Sequence, residues 1–121
     1  MLIRCLAIVV LMTLTPQTAQ VPRPLSGATV TVSGNLLKIA NHSGDPWVEM
    51  HVAVTERDKF DDASAYVCWG DRLDADETLS TKIDECTSVL GKKFGTFRPR
   101  LAAVSAHVPE HGLERSVFTL K

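Results

Sequence analysis

The chain has 121 residues, which allows one domain of about 100 residues behind a leader, and its 13 basic and 14 acidic side chains leave a net charge of -1. With 45% hydrophobic and 22% charged residues it has the composition of neither a disordered polyelectrolyte nor a nucleic-acid binder, and Lys92-Lys93 is its one adjacent basic pair. A domain this small buries about two-thirds of its unfolded surface, so a covalent brace adds usefully to its stability.

The first residues read as a cleavable signal peptide over residues 1–19. Arg4 supplies the positive start, Cys5 to Met12 the apolar run, Pro16 the break and Ala19 the small residue before the cut. The apolar run is shorter than the roughly 20 residues a permanent membrane helix needs, so no stable span is expected after processing. Removing it takes away Arg4 and leaves 12 basic and 14 acidic residues. The expected destination is the periplasm or the exterior. Residues 20–27 follow as a linker, in which Pro22 and Pro24 oppose both helix and central strand.

From residue 28 the period becomes 2. Ala28 to Ser33 alternates small apolar residues with hydroxyls, and Gly34-Asn35 is a hairpin signal leading into a second strand, Leu36 to Ala40. Asn41 to Pro46 is a dense turn cluster. In the third strand, opened by Trp47, strict alternation puts Val48, Met50, Val52 and Val54 on one face and Glu49, His51, Ala53 and Thr55 on the other, as in a sheet packed on one side. Residues 56–63 read as a charged loop, 64–69 as a fourth strand, 70–77 as an acidic loop and 78–83 as a fifth strand. Residues 84–90 read as one helical turn capped by Asp84 and closed by Gly91. Phe94 and Phe97 look like loop anchors, and strands six and seven are expected over 101–108 and 114–120. Seven short strands without a long amphipathic helix indicate an all-β antiparallel sandwich occupying residues 28–121.

Two cysteines survive removal of the leader. An even count in an oxidising compartment reads as a disulfide between Cys68 and Cys86, far wider than the spacing of redox-active pairs. Trp69 raises a difficulty. Neighbours in a strand alternate faces, so Cys68 and Trp69 cannot both point inward unless a bulge intervenes; otherwise Trp69 is exposed or covered by the loop carrying Phe94 and Phe97.

Several elements together resemble a small β-sandwich module of uncharacterised exported bacterial proteins: Asn41-His42-Ser43-Gly44 before Trp47, the alternating strand 48–54, Leu73 to Glu77, Gly91-Lys92-Lys93-Phe94 and Arg98-Pro99. The resemblance covers about 70 residues, mostly turn glycines and core aromatics, and implies an immunoglobulin-like or fibronectin-like sandwich. It departs where an aromatic often precedes the helical turn; here Cys86 stands in its place, in keeping with a Cys68–Cys86 staple. The resemblance brings no catalytic residues.

The chemistry-bearing residues point to a binding protein more than to an enzyme. No Gly-x-Ser-x-Gly elbow occurs, and the cysteines are spoken for. Asp71, Asp74, Asp76 and Glu77 miss the alternate spacing and central glycine of a helix-flanked calcium loop. The expectation is a non-enzymatic interaction module, without cofactor or nucleic acid, whose partner is an unidentified protein or envelope component. Trp69, Trp47 and Tyr66 are its candidate contacts. The alternative is a metal-binding protein using His107, His111 and a third ligand such as His51, since a zinc or copper site needs three or four converging donors.

Overall fold

The computed structural model describes residues 22–95 and 98–121. The leader, and Phe97 as a loop anchor, lie outside them. Seven strands run in chain order: β1 Ala28–Ser33, β2 Leu36–Asn41, β3 Trp47–Thr55, β4 Tyr66–Leu73, β5 Thr78–Lys82, β6 Leu101–Val108 and β7 Gly112–Thr119. They form two antiparallel sheets, β1-β2-β5 and β4-β3-β6-β7. The expected all-β sandwich is the architecture found, with three strands in one sheet and four in the other.

The period-2 pattern decides which side chains meet between the sheets. Leu37 and Ile39 from the smaller sheet face Met50, Val52, Val54, Val104 and Ala106 from the larger, and all are fully buried. Trp47, also without solvent exposure, fills one end of this core.

Two bulges shape the larger sheet: one corrects the strict alternation expected of β3, and the other decides the open question at Cys68 and Trp69 in β4. Along β3, Trp47 pairs with Leu73 and Met50 with Asp71, so two intervening residues oppose one. Glu49 takes the left-handed conformation at this bulge, with φ 50°. Trp47 and Met50 therefore both point inward, whereas Val48 lies opposite exposed His107 on the outer face. The second bulge is in β4. Trp69 pairs with Val52 and Val67 with Ala53, which leaves Cys68 as the extra residue. This is how Tyr66, Cys68 and Trp69 all come to pack against the core.

The segments between strands differ from expectation in three places. β4 continues through Gly70 to Leu73, so the acidic loop shrinks to residues 74–77. The helical turn is a 3₁₀ turn at Ile83–Glu85, with no side-chain cap from Lys82, and the stretch after it is extended, not helical. There Thr87 bridges both Val67 and Lys93, making a small hairpin whose turn ends at Gly91, φ 79°. A second 3₁₀ turn, Asp62–Ser64, replaces the expected start of β4 and is capped by the Asp61 carboxylate, which accepts from Ala63 N at 3.1 Å.

The stretch assigned as a linker is in part docked. Arg23 forms a parallel bridge with Glu114 on the free edge of β7, Leu25 N donates to Ser116 Oγ at 2.9 Å, and Leu25 is buried in the core. Gly27 then turns with φ 74° against residues 42–43; a Cβ there would lie 2.7 Å from Ser43 Cα, so both conformation and space demand glycine.

Candidate functional site

The outer face of the β4-β3-β6-β7 sheet carries a groove of about 290 Å³. Its floor follows from small residues at the outward positions of the two central strands: Ala53 on β3 opposite Ala103 on β6, and His51 opposite Ser105. Where larger polar side chains would stand up from the sheet, these leave a hollow. Val67 on β4 borders it and is 48% exposed.

The opposite wall is a stack built on the loop before β4. Phe60 presents its ring to the Arg115 guanidinium, 5.2 Å from centroid to Cζ. Arg115 Nη2 also donates to Asp62 Oδ1 at 2.9 Å. The 3₁₀ turn capped by Asp61 places Asp62 within that reach. An aromatic face and a surface carboxylate together hold the arginine, a modest interaction in energy but one that fixes orientation. Beside the groove, Gly70 lies against the His51 imidazole; a Cβ there would be 3.2 Å from Nδ1.

The residues singled out from sequence fall elsewhere. Cys68 and Cys86 are joined, with their sulfurs 2.08 Å apart, so the bulge of β4 is tied to the 3₁₀ turn that follows β5. Phe94 packs edge-on against Tyr66, ring centroids 4.9 Å apart. Trp47 is fully buried, which removes it as a surface contact. Trp69 and Tyr66 are half-buried and pack against the core, so their rings are largely committed inside the protein. The indole nitrogens of both tryptophans are shielded from solvent without an acceptor among the described residues.

The histidines do not assemble into the alternative metal site. His107 Nε2 lies 3.6 Å from the Glu49 carboxylate, His111 Nδ1 lies 3.3 Å from Glu114, and His51 sits by the groove. Among the described residues, no three His, Cys, Asp or Glu side chains come together as a metal would require. Sequence reading also passed over Glu114. It faces inward opposite Ala106 and is 6% exposed, with His111 at the rim as its neighbour.

The groove residues gave a weaker signal than the aromatics did. Ala53 and Ala103 stand at outward positions where polar side chains are usual, and only the register shows that they are neighbours. Among the described residues no helix is long and apolar enough to cross a membrane. Compared with protein-family models, curated proteins and solved structures, the chain matches none.

Proposed function

We propose that this protein is exported and works as a non-enzymatic binding module, docking a partner in the groove between Phe60 and Val67. The observation that carries the reading is the groove itself: a floor of Ala53, Ala103 and Ser105 on rigid strands, with Phe60, Val67 and Arg115 at its margins. Its mixed lining suits a protein segment that brings an apolar side chain for the floor and an acceptor for Arg115. The Cys68–Cys86 bond and the leader pattern of residues 1–19 support an oxidising, extracytoplasmic setting for that partner.

Ala53→Arg is the variant that tests it, because it fills the floor from a half-buried outward position and leaves the inter-sheet core untouched. Cross-linking and co-purification from the native envelope are expected to recover a partner with the wild type and at least tenfold less with the variant, at matched melting temperature. Equal recovery with both proteins would remove the groove as the docking surface.

A further inference from the structure

The strand edges of the two sheets are treated differently. On the larger sheet, β4 is covered by the hairpin after β5, with Val67 N donating to Thr87 O at 2.8 Å and Thr87 N to Val67 O at 3.0 Å. β7 is covered by the N-terminal segment, with Arg115 N donating to Arg23 O at 2.7 Å. On the smaller sheet β1 pairs with β2 alone, and among the described residues nothing bridges its other side. Exposed edges are ordinarily guarded by a charge, a proline or a bulge. Ala28–Ser33 has none of these: it is six uncharged residues in unbroken register with β2.

The register shows which backbone groups are free. His42 N donates to Gly27 O at 2.7 Å, and a two-residue turn closes Ser33 on Leu36. Odd-numbered residues of β1 therefore exchange hydrogen bonds with β2. In agreement, Asn41, which lies opposite Ala28, directs its own N–H to Glu77 O on the β5 side. Ala28, Val30 and Val32 consequently turn their N–H and C=O groups to the open edge.

We propose that β1 pairs antiparallel with β1 of a second copy of this chain, joining two three-stranded sheets into one of six strands about a twofold axis. The strand is its own complement. With Val30 opposite the partner's Val30, Ala28 meets Val32, and Thr29 meets Thr31 on the exposed face, with no charge opposed to a like charge. The contact also covers a shallow hollow of about 280 Å³ next to the edge, lined by Val30, Thr31, Val32, Thr119, Leu120 and Lys121. An interface of one strand and its margin is small, so the dimer is weak and reversible.

Sedimentation equilibrium of the oxidised protein over two decades of concentration tests this. The wild type is expected to pass from monomer to dimer. Thr29→Lys with Thr31→Lys places two lysine pairs in opposition and is expected to weaken association at least tenfold; Thr29→Lys with Thr31→Glu pairs opposite charges and restores it. Both threonines are exposed, so neither variant disturbs the core. At high concentration the amides of Ala28, Val30 and Val32 gain protection from hydrogen exchange, whereas those of Thr29 and Thr31 are protected already in the monomer. A wild type that stays monomeric, a double-lysine variant that dimerises as well as the wild type, or protection gained on a different strand would each overturn the proposal.

Discussion

Asn41→Ala is expected to cost about 3 kcal/mol of folding stability, more than its single side chain suggests, because several elements meet on one amide. Asn41 is completely buried at the end of β2. Its Nδ2 donates to Asp45 O at 2.8 Å and to Leu73 O and Asp74 O at 3.3 Å each. Its Oδ1 accepts from Ser43 N at 3.0 Å and from Ser43 Oγ at 2.7 Å. The turn before β3 and the end of β4 are thereby fastened to the smaller sheet. The main chain adds to the same corner, with Asn41 N donating to Glu77 O and Asp76 N to Asn41 O. Truncation leaves carbonyls facing a void that no apolar neighbour can satisfy. Asn41→Asp gives a sharper result. It keeps the acceptor for Ser43 but turns an oxygen toward three carbonyls, so at neutral pH it is expected to be at least as destabilising as Asn41→Ala. The engineered carboxyl is disfavoured in its charged form there, which raises its folded-state proton affinity; the variant therefore regains stability as pH falls and loses it as pH rises. Urea unfolding at neutral and mildly acidic pH measures both effects, and a loss below about 0.5 kcal/mol for both variants would show the corner to be dispensable.

Replacing Cys68 and Cys86 together by alanine is expected to cost a similar amount, about 3 kcal/mol in the loop-entropy description of a closure of this length. For a domain of this size that lowers the melting temperature by roughly 15 °C. The loss has a location as well as a size. Cys86 is buried, and its carbonyl accepts from Phe94 N at 2.7 Å, so the hairpin after the Ile83–Glu85 turn hangs from this residue. Without the bond, that hairpin is held to β4 chiefly by the Val67–Thr87 bridge and the Tyr66–Phe94 contact. Hydrogen exchange is expected to quicken first at Thr87, while amides of β3 and β6 keep protection in step with global stability. Uniform loss over all strands would mean that the bond acts on the unfolded chain alone.

The strands are legible in the sequence because short β-prone runs, several of them alternating as in β1 and β3, lie between clear turn signals such as Gly34-Asn35 and Asn41 to Pro46. The bulges were not, since a period of two cannot show where one residue is extra; that depends on the partner strand. At β4 the sequence did pose the conflict, with Cys68 beside Trp69, and the register resolves it by placing the extra residue at Cys68. At β3 nothing in the run from Trp47 to Thr55 marks Glu49 as left-handed, so the alternation alone puts Val48 on the inner face, whereas the bulge turns it outward beside His107. Leu25 falls in the stretch the sequence marks as a linker because Pro22 and Pro24 precede it, yet a proline-containing segment can still lie along a sheet edge and bury one side chain.

The site was harder to read than the fold. Sequence reading favours large aromatics as contacts, but Trp47, Tyr66 and Trp69 are drawn into or against the core by the two bulges. The groove is instead made by what is small. Ala53 and Ala103 come from strands about fifty residues apart in the chain, and their adjacency is a fact of register. Likewise, the sequence pattern Asn41-His42-Ser43-Gly44 with Leu73 to Glu77 acquires a physical meaning only in the fold, where the Asn41 amide binds the Leu73 carbonyl.

The intact mass and disulfide map of the protein recovered from the cell envelope test the central claim most directly, that this is an exported sandwich locked by one covalent bond. The account predicts a species lacking the first residues through about Ala19, with the Cys68 and Cys86 peptides linked and no thiol open to alkylation. A chain retained in the cytosol with its leader attached, and with both cysteines alkylated, would contradict it.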